Sequence, residues 1–469
     1  MTWLSYSTKA LSIFIVLPQV LKEFSPENIV LWYLFFTIIS LQSIADFGFR
    51  QTFSRIISYA FKGAKEIGIY NNRNSNLANS QDEKPNMLLL NNIVSTMKFI
   101  YFRLTIITFF FMGILGTFFM ITPINNTSDI NGSWISWFIV LIVSCISFYG
   151  KIYMNFLEGI NKIAIVRRVE ILTSIGSIVT SIIVLYFAPS IVNLIIANQV
   201  WVILVTVRDW HLCNTSEDNL YKKVSKKLPF DKVLFKQIWH PAWRSGISGL
   251  MSVGLTNLTG LIYAQIGNSI EVASYLLALR IVNQIKDISM APFYSKIPML
   301  AMLRVKNDLT ELIKIVKRGM FISHLVFVVG FIAVGLLSDT LLKLVHSQVQ
   351  FVSQPLWILL GLAFFAHRFG GMHMQVHMST NYIITHIVDG ITGLICIAAT
   401  LILSNYIGVY SIPVGMLIAY LGFFSWYAAR HSYSSLQVKF WDFEKSTSLL
   451  AIAIIFIYII FRLIQILIN

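Results

Sequence analysis

Charge is scarce in this chain. Only 12% of its 469 residues are Asp, Glu, Lys or Arg and 56% are hydrophobic, whereas soluble globular chains carry roughly 25% charged residues. That shortage excludes an ordinary soluble domain and leaves a polytopic membrane protein. Acids are scarcer than bases, 21 against 36, giving a formal net charge of +15. The bases punctuate apolar runs instead of forming one patch or stripe, which argues against nucleic acid as a partner. Cysteine is nearly absent: Cys145, Cys213 and Cys396 stand far apart without metal or redox spacing, so no disulfide framework is implied. No small-residue cleavage site follows the apolar run 2–21, which therefore reads as a retained first helix. The chain also lacks a GxSxG elbow, a Walker loop, a DxD cluster and paired carboxylates in a polar loop, which turns the reading away from an enzyme. No cofactor is called for.

What the chain has is apolar length. Runs of spanning length fall at about 4–21, 28–46, 99–121, 134–154, 169–187, 191–207, 245–265, 272–295, 319–337, 355–366, 383–403, 410–428 and 448–467. The run at 355–366 is short, and the stretch from Gly370 to His377 has no acid to stop it continuing. With the N-terminus in the cytoplasm, the alternate loops 47–98, 151–168, 208–244, 296–318, 367–382 and 427–447 hold 29 of the 36 bases, and the opposite loops hold only Lys22 and Lys343. This is the imbalance that the positive-inside rule predicts. The outer loops are all short, so no sizeable extracytoplasmic domain is expected.

The chain also repeats itself in pattern. NFLEGINKIAIVRRVEILTSIGSIVTSIIVL from Asn155 lies over QVHMSTNYIITHIVDGITGLICIAATLIL from Gln375, Asn161 over Asn381 and Ile163 over Ile383. Ser5, Thr8 and Ser12 likewise fall over Ser245, Ser248 and Ser252. Both pairs run in the same direction, which implies two halves related by an axis along the membrane normal. The expected fold is therefore all-α: two six-helix lobes with pseudo-twofold symmetry around a central cavity, plus a thirteenth C-terminal helix. The expected boundaries are 1–208 for the N-terminal lobe, 209–240 for a cytoplasmic linker, 241–430 for the C-terminal lobe and 431–469 for an extension. The Asn- and Ser-rich stretch 71–85 reads as a cytoplasmic loop.

Polar side chains inside such runs are candidate site residues. In EVASYLLALRIVNQIKDISMAPFYSKIP, from Glu271, the residues Arg280, Asn283, Gln284 and Asp287 share one helical face. Arg280 lies about 13 Å into the segment at a rise of ~1.5 Å per residue, near the middle of a ~30 Å hydrocarbon core. The face reads as the wall of a cationic cavity, against the blander reading of an internal Arg280–Asp287 ion pair. In the first run Ser5, Thr8, Lys9 and Ser12 share a face; Lys9 is either functional or snorkels to the interface. Asp46 and Arg50, at i and i+4 around Gly48, suit a helical ion pair or substrate contact. Ser245, Ser248, Ser252, Thr256 and Thr259 form a hydroxyl stripe of the kind that serves helix packing. In AHRFGGMHMQVHM, His373 and His377 have HxxxH spacing, but no Cys, Asp or Glu lies nearby to complete a metal site. His386 and Asp389, at i and i+3 in a run, could exchange a proton, as could Asp46 and Asp287.

The opening layout, SPENIVLWYLFFTIISLQSIADFGF, FLEGINKIAIVRRVEIL and KIPMLAMLR resemble the Wzx-type polysaccharide flippases. That family belongs to the superfamily that also holds multidrug and toxic compound extruders and the lipid II flippase. The resemblance covers most of residues 1–430 through diffuse motifs whose order carries the weight. It implies a multi-pass protein of the bacterial inner membrane, moving undecaprenyl-diphosphate-linked O-antigen or similar repeat units from the cytoplasmic to the periplasmic leaflet by alternating access. The partners it implies are the lipid-linked glycan, the bilayer, a polysaccharide polymerase and a chain-length regulator. Under that implication Arg280, then Lys9 and Arg50, would meet the diphosphate, and Asn283, Gln284 and Ser12 the sugar. The run 448–467 departs from the family's usual twelve spans. The rival readings are a multidrug extruder, whose cavity should be acidic, and an O-antigen polymerase, which should carry a large periplasmic loop.

Overall fold

A hydrocarbon core holds no water to satisfy backbone N–H and C=O groups, so apolar runs of spanning length must close their hydrogen bonds internally as helices. The computed structural model describes residues 15–46, 48–61, 63, 85–226, 228–251, 260–261, 263–265, 267–305, 308–380 and 384–468, and among these there is no strand. The chain divides into two compact units, Met1–Asn257 and Leu258–Asn469. Seven stretches among the described residues are long and apolar enough to cross a membrane, from Met87–Asn125 to Thr385–Leu436. The last holds two of the expected runs. Runs 4–21 and 245–265 lie partly outside the described residues, as do Ser5, Thr8, Lys9, Ser12, Ser252, Thr256, Thr259, Asn381 and the loop 71–84.

In the first unit, α1 (15–23), α2 (Pro26–Ala45) and α3 (Phe49–Phe61) are followed by α4 (Met87–Phe111), which runs through a wide turn at Met112–Gly116 into α5 (Thr117–Asn125). Next come α6 (Ile130–Gly159), α7 (Ile163–Phe187), α8 (Ile191–Thr215), α9 (Leu220–Lys223) and α10 (Lys232–Gly249). Side-chain caps start several of them: Asn86 accepts from Leu89 N–H, Asp129 from Gly132 N–H, and Asp231 from Val233 and Leu234 N–H. One end of the unit is a core in which Phe53, Met97, Tyr101, Phe148 and Phe156 meet Tyr221 and Ile238. Residues 209–240 are therefore packed onto the first unit through α9 and α10. On α4, by contrast, Phe102, Ile107, Phe110 and Phe111 are exposed by more than half. An apolar surface of that extent is suited to lipid.

The second unit contains α11 (Ser269–Tyr294), α12 (Ile297–Val305), α13 (Leu309–Leu344), α14 (Gln354–Met378), α15 (Thr385–Ile407), α16 (Ser411–Ala419), α17 (Ser425–Leu436), α18 (Phe440–Glu444) and α19 (Leu449–Ile468). Helix α14 does continue beyond residue 366, to Met378, and brings Arg368 with it. Composition alone had placed Arg368 in the loop 367–382; without an acid or a helix breaker the helix has no reason to end before it. Helix α13 has 36 residues, about 54 Å at ~1.5 Å per residue, so its first turns project beyond a ~30 Å core.

The last expected run forms helix α19, which packs along α13. Lys317 Nζ donates to the carbonyl of Asp442 just before α19, Tyr458 meets Phe331 edge-on at 5.5 Å, and Arg462 donates to the carbonyl of Gly335. The two helices therefore run parallel, and from Lys317 to Gly335 they share about 27 Å at ~1.5 Å per residue. Ala451, Ile455 and Tyr458 are buried, while Phe456, Ile457 and Ile460 are exposed by more than half. The close approach depends on Gly335, where a Cβ would lie 2.0 Å from Tyr458 Oη.

Candidate functional site

Helix α11 starts where Asn268 accepts from the N–H groups of Ile270 and Glu271 at 3.0 and 3.1 Å. Its apolar side, including Val272, Tyr275, Leu277, Val282 and Phe293, is buried. The helix packs on α13 and α14, and that leaves Arg280, Asn283 and Gln284 half-buried and Asp287 exposed. The carboxylate of Asp287 meets Lys286 at 3.6 Å; the Arg280–Asp287 pair considered from spacing does not form. Lys286 also donates to Asn283 Oδ1 at 3.1 Å and stands 5.6 Å from the Phe364 ring of α14. Asn283 itself donates back to the Leu279 carbonyl at 2.9 Å. Arg280, Asn283 and Lys286 thus line one stretch of α11. Lys286 was legible as the i+3 neighbour of Asn283 but was not singled out.

Arg368 on α14 was visible in the sequence only as a neighbour of the histidines. Its side chain is fully buried. It donates to the Ser323 carbonyl at 2.6 Å, lies 3.4 Å from His324 Nδ1, and its guanidinium sits 4.7 Å from the Phe327 ring centre. No carboxylate pairs with it among the described residues. A guanidinium does not give up its proton in proteins, so this charge persists. Five residues on, His373 is also fully buried, and its Nε2 meets Glu444 at 3.1 Å. Glu444 further accepts from Tyr433 and Thr447, both at 2.8 Å, and from Ser448. The HxxxH pair is thus split in role, with His373 clasping the segment that leads into α19.

In the first unit, Gly48 has φ +71°, which breaks the chain between α2 and α3. Asp46 is therefore no i, i+4 partner on a continuous helix. It caps α3 by accepting from Arg50 N–H at 3.0 Å, and it accepts a hydrogen bond from buried Tyr101. Asn155 donates to the same Tyr101 hydroxyl at 2.8 Å. The Arg50 side chain reaches Glu158 instead, with Nε 3.3 Å from Oε2 and a second bond alongside. The hydrogen bond and charge of Glu158 raise the Arg50 pKa above its ordinary value. On α15, His386 is half-buried and Asp389 buried.

No protein-family model and no curated protein matches the sequence. Solved structures do match along nearly the whole chain. An inward-facing multidrug-resistance MATE transporter of the MOP superfamily superposes with a TM-score of 0.66 at 14% identity, covering 92% of this chain and 95% of its own. The lipid II flippase MurJ, in an inward closed conformation, gives 0.59 at 14% identity, covering 100% and 99%. A MOP superfamily transporter from Pyrococcus furiosus, described as having a binding pocket of reverse polarity, gives 0.60 at 14%, covering 93% and 94%. The chain has the fold of the MOP superfamily transporters. Identities this low establish the fold alone, so what the MOP fold does here has to be argued from its charges. Within the second unit, packed helices α11 and α14 carry Arg280, Lys286 and Arg368 against two exposed acids, Asp287 and, in the first turn of α11, Glu271. Groups of this kind bind anions. Guanidinium suits phosphate through paired N–H donors, and Asn283 and Gln284 on the same face can donate to and accept from hydroxyls.

Proposed function

We propose that the protein is a flippase for an undecaprenyl-diphosphate-linked oligosaccharide repeat unit, carried from the cytoplasmic to the periplasmic leaflet of the bacterial inner membrane by alternating access, with the N-terminus in the cytoplasm. The observation that carries this reading is the excess of fixed positive charge on membrane-embedded helices, above all a fully buried Arg368 without a carboxylate among the described residues. A diphosphate with a hydrated glycan cannot cross hydrocarbon without such a path. Arg280 and Lys286 are the residues assigned to the diphosphate, with Asn283 and Gln284 assigned to the sugar. Lys9, Ser12 and Arg50 are assigned to the substrate as further contacts, and Asp46, Asp287, His386 and Asp389 remain candidates for ion coupling. Coverage also supports the reading: the lipid II flippase spans 100% of the chain, where the MATE transporter leaves 8% unmatched.

The test is complementation of a strain that lacks its own repeat-unit flippase. Arg280→Ala should abolish surface glycan at near-normal protein abundance, and Arg280→Lys should restore it only in part, because Lys keeps charge but not paired donors. Adding Asp287→Ala to Arg280→Ala should restore nothing, since Asp287 is exposed and held by Lys286. Full surface glycan from Arg280→Ala would refute the assignment, and export of cationic dyes by the wild type would favour an extruder.

A further inference from the structure

At the end of the second unit remote from Glu444 lies a cavity of about 540 Å³, within the ~300–1,000 Å³ typical of small-molecule sites. Four segments build it. The first turns of α11 supply Glu271 and Tyr275, the approach to α14 supplies Gln350 and Ser353, and the turn between α15 and α16 supplies Tyr410. That turn is made by Gly408 at φ +53°, which aims the following Tyr410 back at α14. Tyr263, from the segment before α11, completes the wall.

The polar groups are already oriented by one another. Tyr263 Oη donates to Glu271 Oε2 at 3.2 Å, and Ser353 Oγ shares a hydrogen bond with Tyr410 Oη at 2.9 Å. Tyr263 and Tyr275 meet edge-to-face at 5.3 Å. Among the described residues no Lys or Arg lines the cavity, which sets its chemistry apart from the cations of α11 and α14 and makes it unfit for a phosphate. A carboxylate with acceptor sites left, an amide, two hydroxyls and aromatic rings are what a neutral sugar ring uses. Its hydroxyls donate to the carboxylate and accept from the amide and hydroxyls, and its C–H face lies on a ring.

We propose that this cavity is a glycan subsite, which holds neutral sugar residues of the lipid-linked substrate while the diphosphate engages cations deeper in the unit. It rests on the flippase reading. By the distribution of bases, this end of the unit is the periplasmic one, where the glycan emerges. The second site would let the sugar be held by one set of groups as the diphosphate is released by another.

The probe is the neutral oligosaccharide released by mild acid from the lipid-linked pool of the glycan-producing host, with tetramethylammonium as a cation control, added to the full chain in nanodiscs. Saturation-transfer NMR should show the oligosaccharide bound to wild type and to Arg280→Ala. Glu271→Gln should weaken it about tenfold, the equivalent of one hydrogen bond to a charged group, and Tyr410→Phe about fivefold, the equivalent of one neutral hydrogen bond. Gln350→Trp should block it, and because Gln350 is exposed on a loop this change leaves the fold alone. Wild-type binding that these variants leave unchanged, absence of wild-type binding, or binding of tetramethylammonium alone would each overturn the subsite. If the wild-type chain nevertheless complements the flippase-deficient strain, the subsite falls and the flippase reading stands. If it does not complement, the flippase reading falls with it.

Discussion

Glu444→Ala should loosen the C-terminal helix from the second unit. In the intact protein the Glu444 carboxylate, 4% exposed, accepts from His373, Tyr433, Thr447 and Ser448. It lies between two membrane helices, outside the spans. Burial alone would raise its pKa, but the hydrogen bond and charge of His373, with the bonds from Ser448 and Thr447, outweigh it and hold the carboxyl at about 2. Breaking a buried pair from one side costs ~3–5 kcal/mol, since the stranded partners stay buried. For a unit of this size that is a fall in melting temperature of roughly 6 to 20 °C. The sign with pH follows from a depressed folded pKa. The carboxylate's contribution is complete above the unfolded value of about 4.3 and disappears as pH falls toward about 2. Thermal scans of purified protein should therefore show Glu444→Ala well below wild type at pH 7, with the gap narrowing below pH 4. Glu444→Gln, which keeps one acceptor, should fall between. A melting temperature for Glu444→Ala within 2 °C of wild type would refute the idea that this cluster fastens the extension.

Two further outcomes follow from α19. Gly335→Val should reduce the folded protein in membranes, because its Cβ would meet Tyr458 Oη at 2.0 Å and Trp357 Nε1 at 2.8 Å, whereas Gly390→Ala, with nothing within 4 Å, should be neutral; blots and size-exclusion profiles decide. A phosphatase fused after Asn469 should be active in the periplasm, because α19 runs parallel to α13; activity only of a cytoplasmic reporter at that point would rule out the crossing.

Much of the fold was readable because its strongest signal is local. Apolar length fixes where helices can cross, and the missing acids after residue 366 correctly implied that α14 would continue. Pairing was less readable. Asp46 and Arg50 have helical spacing, yet one left-handed residue, Gly48, turned the acid into a cap and sent the arginine side chain to Glu158, 108 positions away. Nothing local in SIADFGFRQ could choose Glu158. Arg368 is the same kind of case: the residue is conspicuous in an apolar helix, but its complete burial depends on Ser323, His324 and Phe327 of α13, which only packing brings together. The cluster at Glu444 joins α14, α17 and the approach to α19, so no single window of sequence contained it.

The fate of the acids bears on which substrate the charges favour. An extruder of cationic drugs needs a carboxylate free to meet its cargo inside the membrane. Among the acids of the described residues, Asp46 is occupied by the start of α3 and by Tyr101, Glu158 by Arg50, Asp209 by Arg208 at 2.6 Å and Asp287 by Lys286, while Glu271 accepts from Tyr263 and keeps acceptor sites for the cavity it lines. Arg368 is not matched in the same way: among the described residues it has a carbonyl, an imidazole and an aromatic face around it. Desolvating a guanidinium costs several kcal/mol even after relaxation, and a carbonyl returns only part of that. An arrangement that commits most of these acids locally while leaving Arg368 without a carboxylate among the described residues is the ground for proposing an anionic cargo, such as the diphosphate end of a lipid-linked glycan, over a cationic drug.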